Sequence, residues 1–440
     1  MRLFSVNLPI SFLEINRLIM YRDSVYDEIL QKVNEEVTQY ERKLEIDPTD
    51  AATAYRLSLI YKDGLGVTKD YEKAYQLVLQ SYDTDQNPLA ANVLGTMYYN
   101  GMYVEKNQEQ GLQLMQYAHE QGNIAATFNI GIHLLVNADS DTAQEAQGLE
   151  MVRTAAEKGN HFAQFAYGGF YDDGRMGQDY TIAFEWYQRA ADSGSSGAAA
   201  NLGFMYRNGV IEVDDADDKA LEYFRKSAYM HNAHGMYNLG SMYDNGISVE
   251  ENQAVAFYWF TKAASKGSAN ATYALYRYYS EGIYTDYDPE LAMEVLEQAA
   301  ASGVTAAQRD LGNILSDEDS EYLDYEKAAY WFEQAAEEDD LISINNLGWM
   351  YENGFGVEQD YATALNYFYK AAEAGYAVAQ CNVGRYYIEQ RGGMPKDIEH
   401  AKQWLQLSAD QGYERAIQLL EELRDKPPSG DSGFWKKLFS

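Results

Sequence analysis

The chain has 440 residues, and 34 Lys and Arg against 68 Asp and Glu give it a formal net charge of -34. That balance excludes nucleic acid as an expected partner, because nucleic-acid binders need a basic footprint to release counterions from phosphate. Hydrophobic residues at 46% and aromatics at 14% exclude wholesale disorder, and the single cysteine, Cys381, excludes an intramolecular disulfide or a cysteine zinc site.

From the N-terminus, Met1 to Pro9 carries one positive charge and some apolar residues. Asn7, Pro9, Glu14 and Arg17 interrupt that run, and no small-residue cleavage site follows. No stretch approaches the roughly 18 uninterrupted apolar residues of a spanning helix, so the expected location is cytoplasmic. Residues 1–50 read as an N-terminal segment ending in a capping helix. Val25, Ile29, Val33, Val37, Tyr40 and Leu44 lie on one helical stripe that stops at Asp47-Pro48-Thr49-Asp50.

A repeat then takes over. A Leu-Gly step, or a close variant, recurs every 35 to 37 residues: Leu57-Ser58, Leu94-Gly95, Ile130-Gly131, Tyr167-Gly168, Leu202-Gly203, Leu239-Gly240, Leu275-Tyr276, Leu311-Gly312, Leu347-Gly348 and Val383-Gly384. In seven copies a tyrosine follows four residues later, and a glycine three beyond that, as in Tyr351 and Gly354. A second block carries an aromatic pair and then Ala-Ala, at Trp186-Tyr187 with Ala190-Ala191, Trp259-Phe260 with Ala263-Ala264, Trp331-Phe332 with Ala335-Ala336 and Tyr367-Phe368 with Ala371-Ala372. Apolar residues at i, i+3 and i+4 make both blocks short amphipathic helices. The Leu-Gly glycine permits close approach of a neighbouring helix, and the alanines and aromatics are small and large knobs that interlock. Asn-Gly and Asp-Gly pairs supply the positive φ that ends the first helix. After the second helix a glycine recurs, with Asp85, His231 and Asp339 expected in its place elsewhere. Only seven prolines occur and none lies between Pro88 and Pro289, as long helical stretches require.

The unit from Ile344-Asn345-Asn346-Leu347-Gly348 through Tyr351, Asn353-Gly354 and Tyr361 to Ala371-Ala372-Glu373-Ala374-Gly375 resembles the Sel-one-like repeat (SLR). That repeat is a relative of the tetratricopeptide repeat with a longer loop between its helices. The resemblance covers ten copies over residues 51–412. It implies an all-α fold, a right-handed α/α superhelical solenoid of about ten helix pairs with capping helices at both ends. Copies three, eight and ten lack the loop glycine, at Leu135-Val136-Asn137-Ala138, Leu315-Ser316-Asp317-Glu318 and Tyr387-Ile388-Glu389-Gln390, so their loops are expected to differ in shape. With Cys381 alone, the chain stands outside the secreted branch that staples each repeat with a disulfide.

Residues 413–426 make a C-terminal capping helix through Ile417, Leu420 and Leu423, and Pro427-Pro428-Ser429-Gly430 opens a linker and tail spanning 427–440. The tail residues Phe434, Trp435, Lys436, Lys437, Leu438 and Phe439 are expected to make at most a weak contact with an anionic membrane or a partner.

No hydrolase elbow, zincin, Walker or dinucleotide motif is present. The six histidines, His119, His133, His161, His231, His234 and His400, occupy unrelated repeat positions. The acidic runs at Asp214-Asp215-Ala216-Asp217-Asp218 and Asp317-Glu318-Asp319-Ser320-Glu321 do not match a calcium loop. The expectation is therefore a protein that is not an enzyme and has no cofactor and no metal. Similarity to tetratricopeptide stacks implies that first helices line a concave surface, reached from positions two before, two after and five after the Leu-Gly leucine. In copies five to ten these positions hold Phe204, Arg207, Tyr237, Tyr273, Arg277, Arg309, Asn313, Asn345, Trp349 and Arg385. Arg, Tyr and Trp dominate binding hot spots, and Arg grips carboxylates bidentately. The Asn before Leu-Gly is expected to bond nearby backbone. The implied function is a scaffold or adaptor that binds a protein or peptide on that surface. The alternative is a cytosolic inhibitor or immunity protein that neutralises a basic toxic enzyme through its acidic exterior.

Overall fold

The computed structural model describes residues 35–64, 67–138 and 142–425, and among these the regular structure is entirely helical. The tail residues Phe434 to Phe439, and Val25, Ile29 and Val33 of the expected N-terminal stripe, lie outside the described residues. The chain divides into two compact units between Trp259 and Phe260.

The first unit holds α1 (35–46). It continues with α2 (Ala51–Asp63), α3 (Tyr71–Asp85), α4 (Pro88–Asn100), α5 (Gln108–Glu120), α6 (Ile124–Val136), α7 (Thr142–Glu157), α8 (His161–Asp172), α9 (Tyr180–Asp192), α10 (Ser196–Arg207), α11 (Ala216–Tyr229) and α12 (Ala233–Asp244). The division falls within α13 (Gln253–Ser265). The second unit holds α14 (Ala269–Glu281), α15 (Pro289–Ala301), α16 (Thr305–Ser316), α17 (Tyr325–Glu337), α18 (Leu341–Asn353), α19 (Tyr361–Glu373), α20 (Ala377–Glu389), α21 (Ile398–Asp410) and α22 (Glu414–Asp425). Even-numbered helices are the first helices of the repeats, odd-numbered ones the second. Within each unit a helix packs on the next in sequence, and most closely where first and second helix belong to one repeat.

Short polar side chains start these helices. Asp340 Oδ1 accepts from Ser343 N at 2.8 Å, and Asn160 Oδ1 from Ala163 N at 2.9 Å, filling donors that a helix N-terminus leaves open. Left-handed residues end them, as at Gly354 (φ 74°), whose N–H donates to Met350 O at 2.8 Å. The turn after α3 corrects the sequence reading. Helix α3 runs on through Asp85, and Gln86 (φ 51°) carries the positive φ, whereas His231 (60°) and Asp339 (56°) stand where expected. The glycine-poor loops do differ. Copies three and eight leave their first helices through Asn137 (φ -109°) and Asp317 (φ -78°), while copy ten keeps the left-handed exit on Gln390 (φ 61°).

The recurring glycine is a packing device. A Cβ on Gly348 would stand 2.6 Å from the ring of Phe368, the fully buried aromatic of the second helix in the same repeat. In the second unit the core runs from Leu296 through Leu311, Phe332, Leu347 and Phe368 to Tyr386. It closes on α22, where Ala416, Leu419 and Leu420 pack with Cys381, Ile388 and Leu405. Leu420-Glu421 stands 37 residues after Val383-Gly384, so a charged, exposed residue takes the glycine's place on α22.

Candidate functional site

The ten residues expected to face a binding groove fall in both units. In the first, Phe204 on α10 is 57% exposed, Tyr237 on α12 is half-buried, and Arg207 at the end of α10 lies 3.5 Å from Asp217. Burial pushes the Tyr237 phenol up.

In the second unit, the predicted positions on α14, α16, α18 and α20 are joined from one first helix to the next by side-chain bonds about one repeat apart in sequence. Tyr273 Oη donates to Asp310 Oδ2 at 2.6 Å. Asn346 Nδ2 donates to Asn313 Oδ1, and Asn382 Nδ2 to Asn345 Oδ1, both at 3.0 Å. Arg385 grips Glu352 with both terminal nitrogens at 2.6 Å. These bonds run from one first helix to the next and join α14, α16, α18 and α20 into one stripe of linked side chains. Arg277 is exposed, its guanidinium 5.6 Å from the Tyr278 ring centroid. Trp349 is 37% exposed and its ring lies 4.9 Å from that of Phe355, which in turn stacks on Tyr325 at 4.6 Å and 8°.

Arg309 and Arg385 are held by carboxylates that the sequence reading did not single out. Arg309 Nε bonds Asp310 at 3.2 Å and its Nη1 bonds Asp340 at 3.1 Å. Glu352 is buried and also receives Arg391 Nη1 at 2.6 Å, while Arg391 Nε reaches Glu389 at 2.6 Å. The carboxylates hold the Arg385 guanidinium above its ordinary range despite burial, and burial raises Glu389. Glu352 could have been found from sequence, since it stands five residues after Leu347, in the same register that selected Arg207. The signal for Asp340 is weaker, because its position reads first as a helix cap.

The asparagine before Leu-Gly does two jobs. Asn238 Nδ2 bonds the His234 carbonyl of its own helix at 2.9 Å, as expected. Asn129, Asn346 and Asn382 instead reach a side chain on the preceding first helix, at Asn92, Asn313 and Asn345.

Three of the histidines bond neighbouring side chains. His133 Nδ1 meets Tyr99 Oη at 2.8 Å, His119 Nδ1 meets Thr127 Oγ1 at 2.8 Å, and His400 Nδ1 meets Asp397 at 2.6 Å. Burial lowers the pKa of His133 and His161. Among the described residues no three His, Cys, Asp or Glu side chains cluster to hold a metal ion, and no helix is long and apolar enough to cross a membrane.

A family model described as the Sel1 repeat matches nine segments: 51–83, 88–123, 161–195, 196–232, 233–268, 269–304, 305–340, 341–376 and 377–413. These span more than half of the chain. The pair α6 and α7 lies between matched segments yet packs as the other pairs do. Among curated proteins nothing matches. Among solved structures, a Sel1 repeat protein from Oxalobacter formigenes is similar at 28% identity, covering 71% of this chain and 90% of that one with a TM-score of 0.48. A protective antigen of uropathogenic Escherichia coli with an SLR fold is 25% identical over 89% of this chain and 91% of its own, at a TM-score of 0.44. An immunity protein of Pseudomonas aeruginosa is 21% identical over 49% of this chain and 82% of its own, at 0.33.

Proposed function

We propose, since the chain belongs to the Sel1 repeat family, that it is a non-catalytic scaffold that seats a protein or peptide partner along its first helices. Repeats of this family commonly mediate protein–protein contact. The observation that carries the reading is the bonded stripe on α14, α16, α18 and α20, with Trp349 exposed within it. Side chains already fixed by neighbours lose little freedom on binding, so the stripe is preorganised for an extended segment. Arg309 and Arg385 act mainly as struts in that account, and Trp349, Arg277 and Asn313 supply the contact. In the first unit Phe204 plays the same part.

The test is capture of partners from native lysate at two salt concentrations, comparing the intact chain with Trp349→Ala, Phe204→Ala and Tyr330→Ala. Tyr330 lies on second helix α17 and is 51% exposed. Loss of a partner at both salts with the first two variants, and retention with the third, supports the reading. Equal capture by all variants sinks it.

The net charge of -34 supports a second reading, a cytoplasmic inhibitor of one basic enzyme. Its signature is a single basic partner that washes off at high salt and ignores both first-helix variants.

A further inference from the structure

A second kind of site lies in the first unit, where the loops of the first two repeats face each other. A cavity of about 570 Å³ opens there, walled by Tyr61, Tyr71 and Tyr103 together with Lys69, Asp70 and Glu72. The ionisable chains among the six give two negative charges against one positive, and aromatic faces carry negative potential, so the wall favours a cation.

Two ammonium groups of the chain already use these rings. Lys69 Nζ stands 5.5 Å from the Tyr71 ring centroid, inside the range of cation–π attraction. Lys73 Nζ stands 4.2 Å from that of Tyr61, fixed by Glu41 at 2.6 Å and by Tyr61 Oη at 2.8 Å. Lys73 is therefore part of the frame. Lys69 is exposed and reaches the cavity on a flexible stem.

Tyr103 stands at a left-handed loop position, which copy seven also fills with a tyrosine, Tyr284 (φ 60°). The φ of 66° at Tyr103 is a conformation that costs a bulky residue energy. Copies six, nine and ten place Ser248 (54°), Gly356 (66°) and Gly392 (62°) at the same loop position, so the turn can be made without an aromatic. The phenol is nonetheless 51% exposed over the cavity, with its ring 5.8 Å from that of Tyr75.

We propose that this cavity is a receptor for an alkylammonium group, and that Lys69 is the internal occupant that such a ligand displaces. The site is separate from the first-helix stripe and stands whether or not that surface seats a partner. A lysine side chain of a partner protein and a free quaternary amine share the recognised chemistry. A primary ammonium adds hydrogen bonds to Asp70 or Glu72, which a quaternary one cannot form.

The experiment titrates tetramethylammonium and, separately, N-acetyl-lysine methylamide into the full chain carrying 3-fluorotyrosine at position 103. Fluorine resonances report binding, and sodium chloride at equal concentration is the control. Saturable shifts absent from the salt control are expected, with Lys69→Ala binding about three- to fivefold tighter, the weight of one exposed cation–π contact. Tyr71→Ala, at an exposed first position of α3, should weaken binding by a similar factor. Tighter binding of the lysine derivative identifies a protein side chain as the source, and tighter binding of tetramethylammonium a quaternary amine. The proposal is overturned if sodium chloride reproduces the shifts, if neither probe saturates, or if Lys69→Ala leaves the midpoints unchanged.

Discussion

Removing the Glu352 carboxylate by Glu352→Ala tests whether the arginines of the stripe are structural struts. Glu352 is 5% exposed and accepts three hydrogen bonds at 2.6 Å, two from Arg385 and one from Arg391. Without it, Arg385, whose side chain is 19% exposed, keeps only a 3.4 Å contact to Glu389 among its ion pairs. Breaking a buried pair from one side costs about 3–5 kcal/mol. The lower end applies here, because Arg391 is 35% exposed, keeps Glu389 at 2.6 Å and can rehydrate. In a repeat stack such a loss stays local, so the assay is amide hydrogen exchange alongside urea unfolding. A loss of about 3 kcal/mol corresponds to exchange faster by roughly two orders of magnitude in α18 and α20. Changing Glu352 and Arg385 together to Leu removes both charges and should cost less than Glu352→Ala alone, since apolar replacement of a buried pair is often neutral. Unchanged protection of α18 and α20 in Glu352→Ala would refute the reasoning.

Four further outcomes follow from the same packing and electrostatics. Burial pushes the Cys381 thiol up to about 11, so a thiol reagent at pH 7.5 should leave it unmodified in the native chain and modify it in denaturant; fast native labelling would contradict its placement. Gly348→Ala gains about 1 kcal/mol of helix propensity but forces a methyl against Phe368, a clash worth about 1–3 kcal/mol, so unfolding should show a net loss that Phe368→Leu partly relieves. The capping carboxylates Asp324, Asp360 and Asp397 are held below their ordinary range by the N–H groups and side chains they accept from. Their support is complete above the unfolded-state aspartate pKa near 3.9 and is lost as pH falls through the lower folded values, so helicity should fall below about pH 4. Glu389, raised by burial, has the opposite sign: the support of its protonated form is complete below the unfolded-state glutamate pKa of about 4.3 and is lost as pH rises through the higher folded value, and Glu389→Gln should remove that loss.

The helix pairs were readable because each repeat writes the same physical demands at fixed spacing. The Leu-Gly step marks where Phe368 must approach Gly348, and Asn353-Gly354 marks a left-handed exit. Where a residue other than glycine takes the turn, the sequence is ambiguous by one position, which is why Gln86 and not Asp85 carries the positive φ. Copy three was legible from its apolar periodicity in α6, although it lies between matched family segments. The candidate surface was half legible. The repeat register selects Trp349 and Arg385, but whether an arginine meets solvent or a carboxylate depends on the neighbouring repeat, 33 residues back in the case of Glu352. The tyrosine-lined cavity was not legible as a site, because Tyr61 and Tyr71 stand on two helices and Tyr103 in a loop of the next repeat, and nothing in the repeat spacing says that the three meet.

The central claim concerns which layer of helices a partner touches, and site-specific photocrosslinking reads that directly. A benzophenone amino acid placed in turn at 349, 204 and 330 would be irradiated in native lysate. The scaffold account predicts partner adducts from 349 and 204 and none from 330. Adducts from 330 alone would contradict it and move recognition to the second helices.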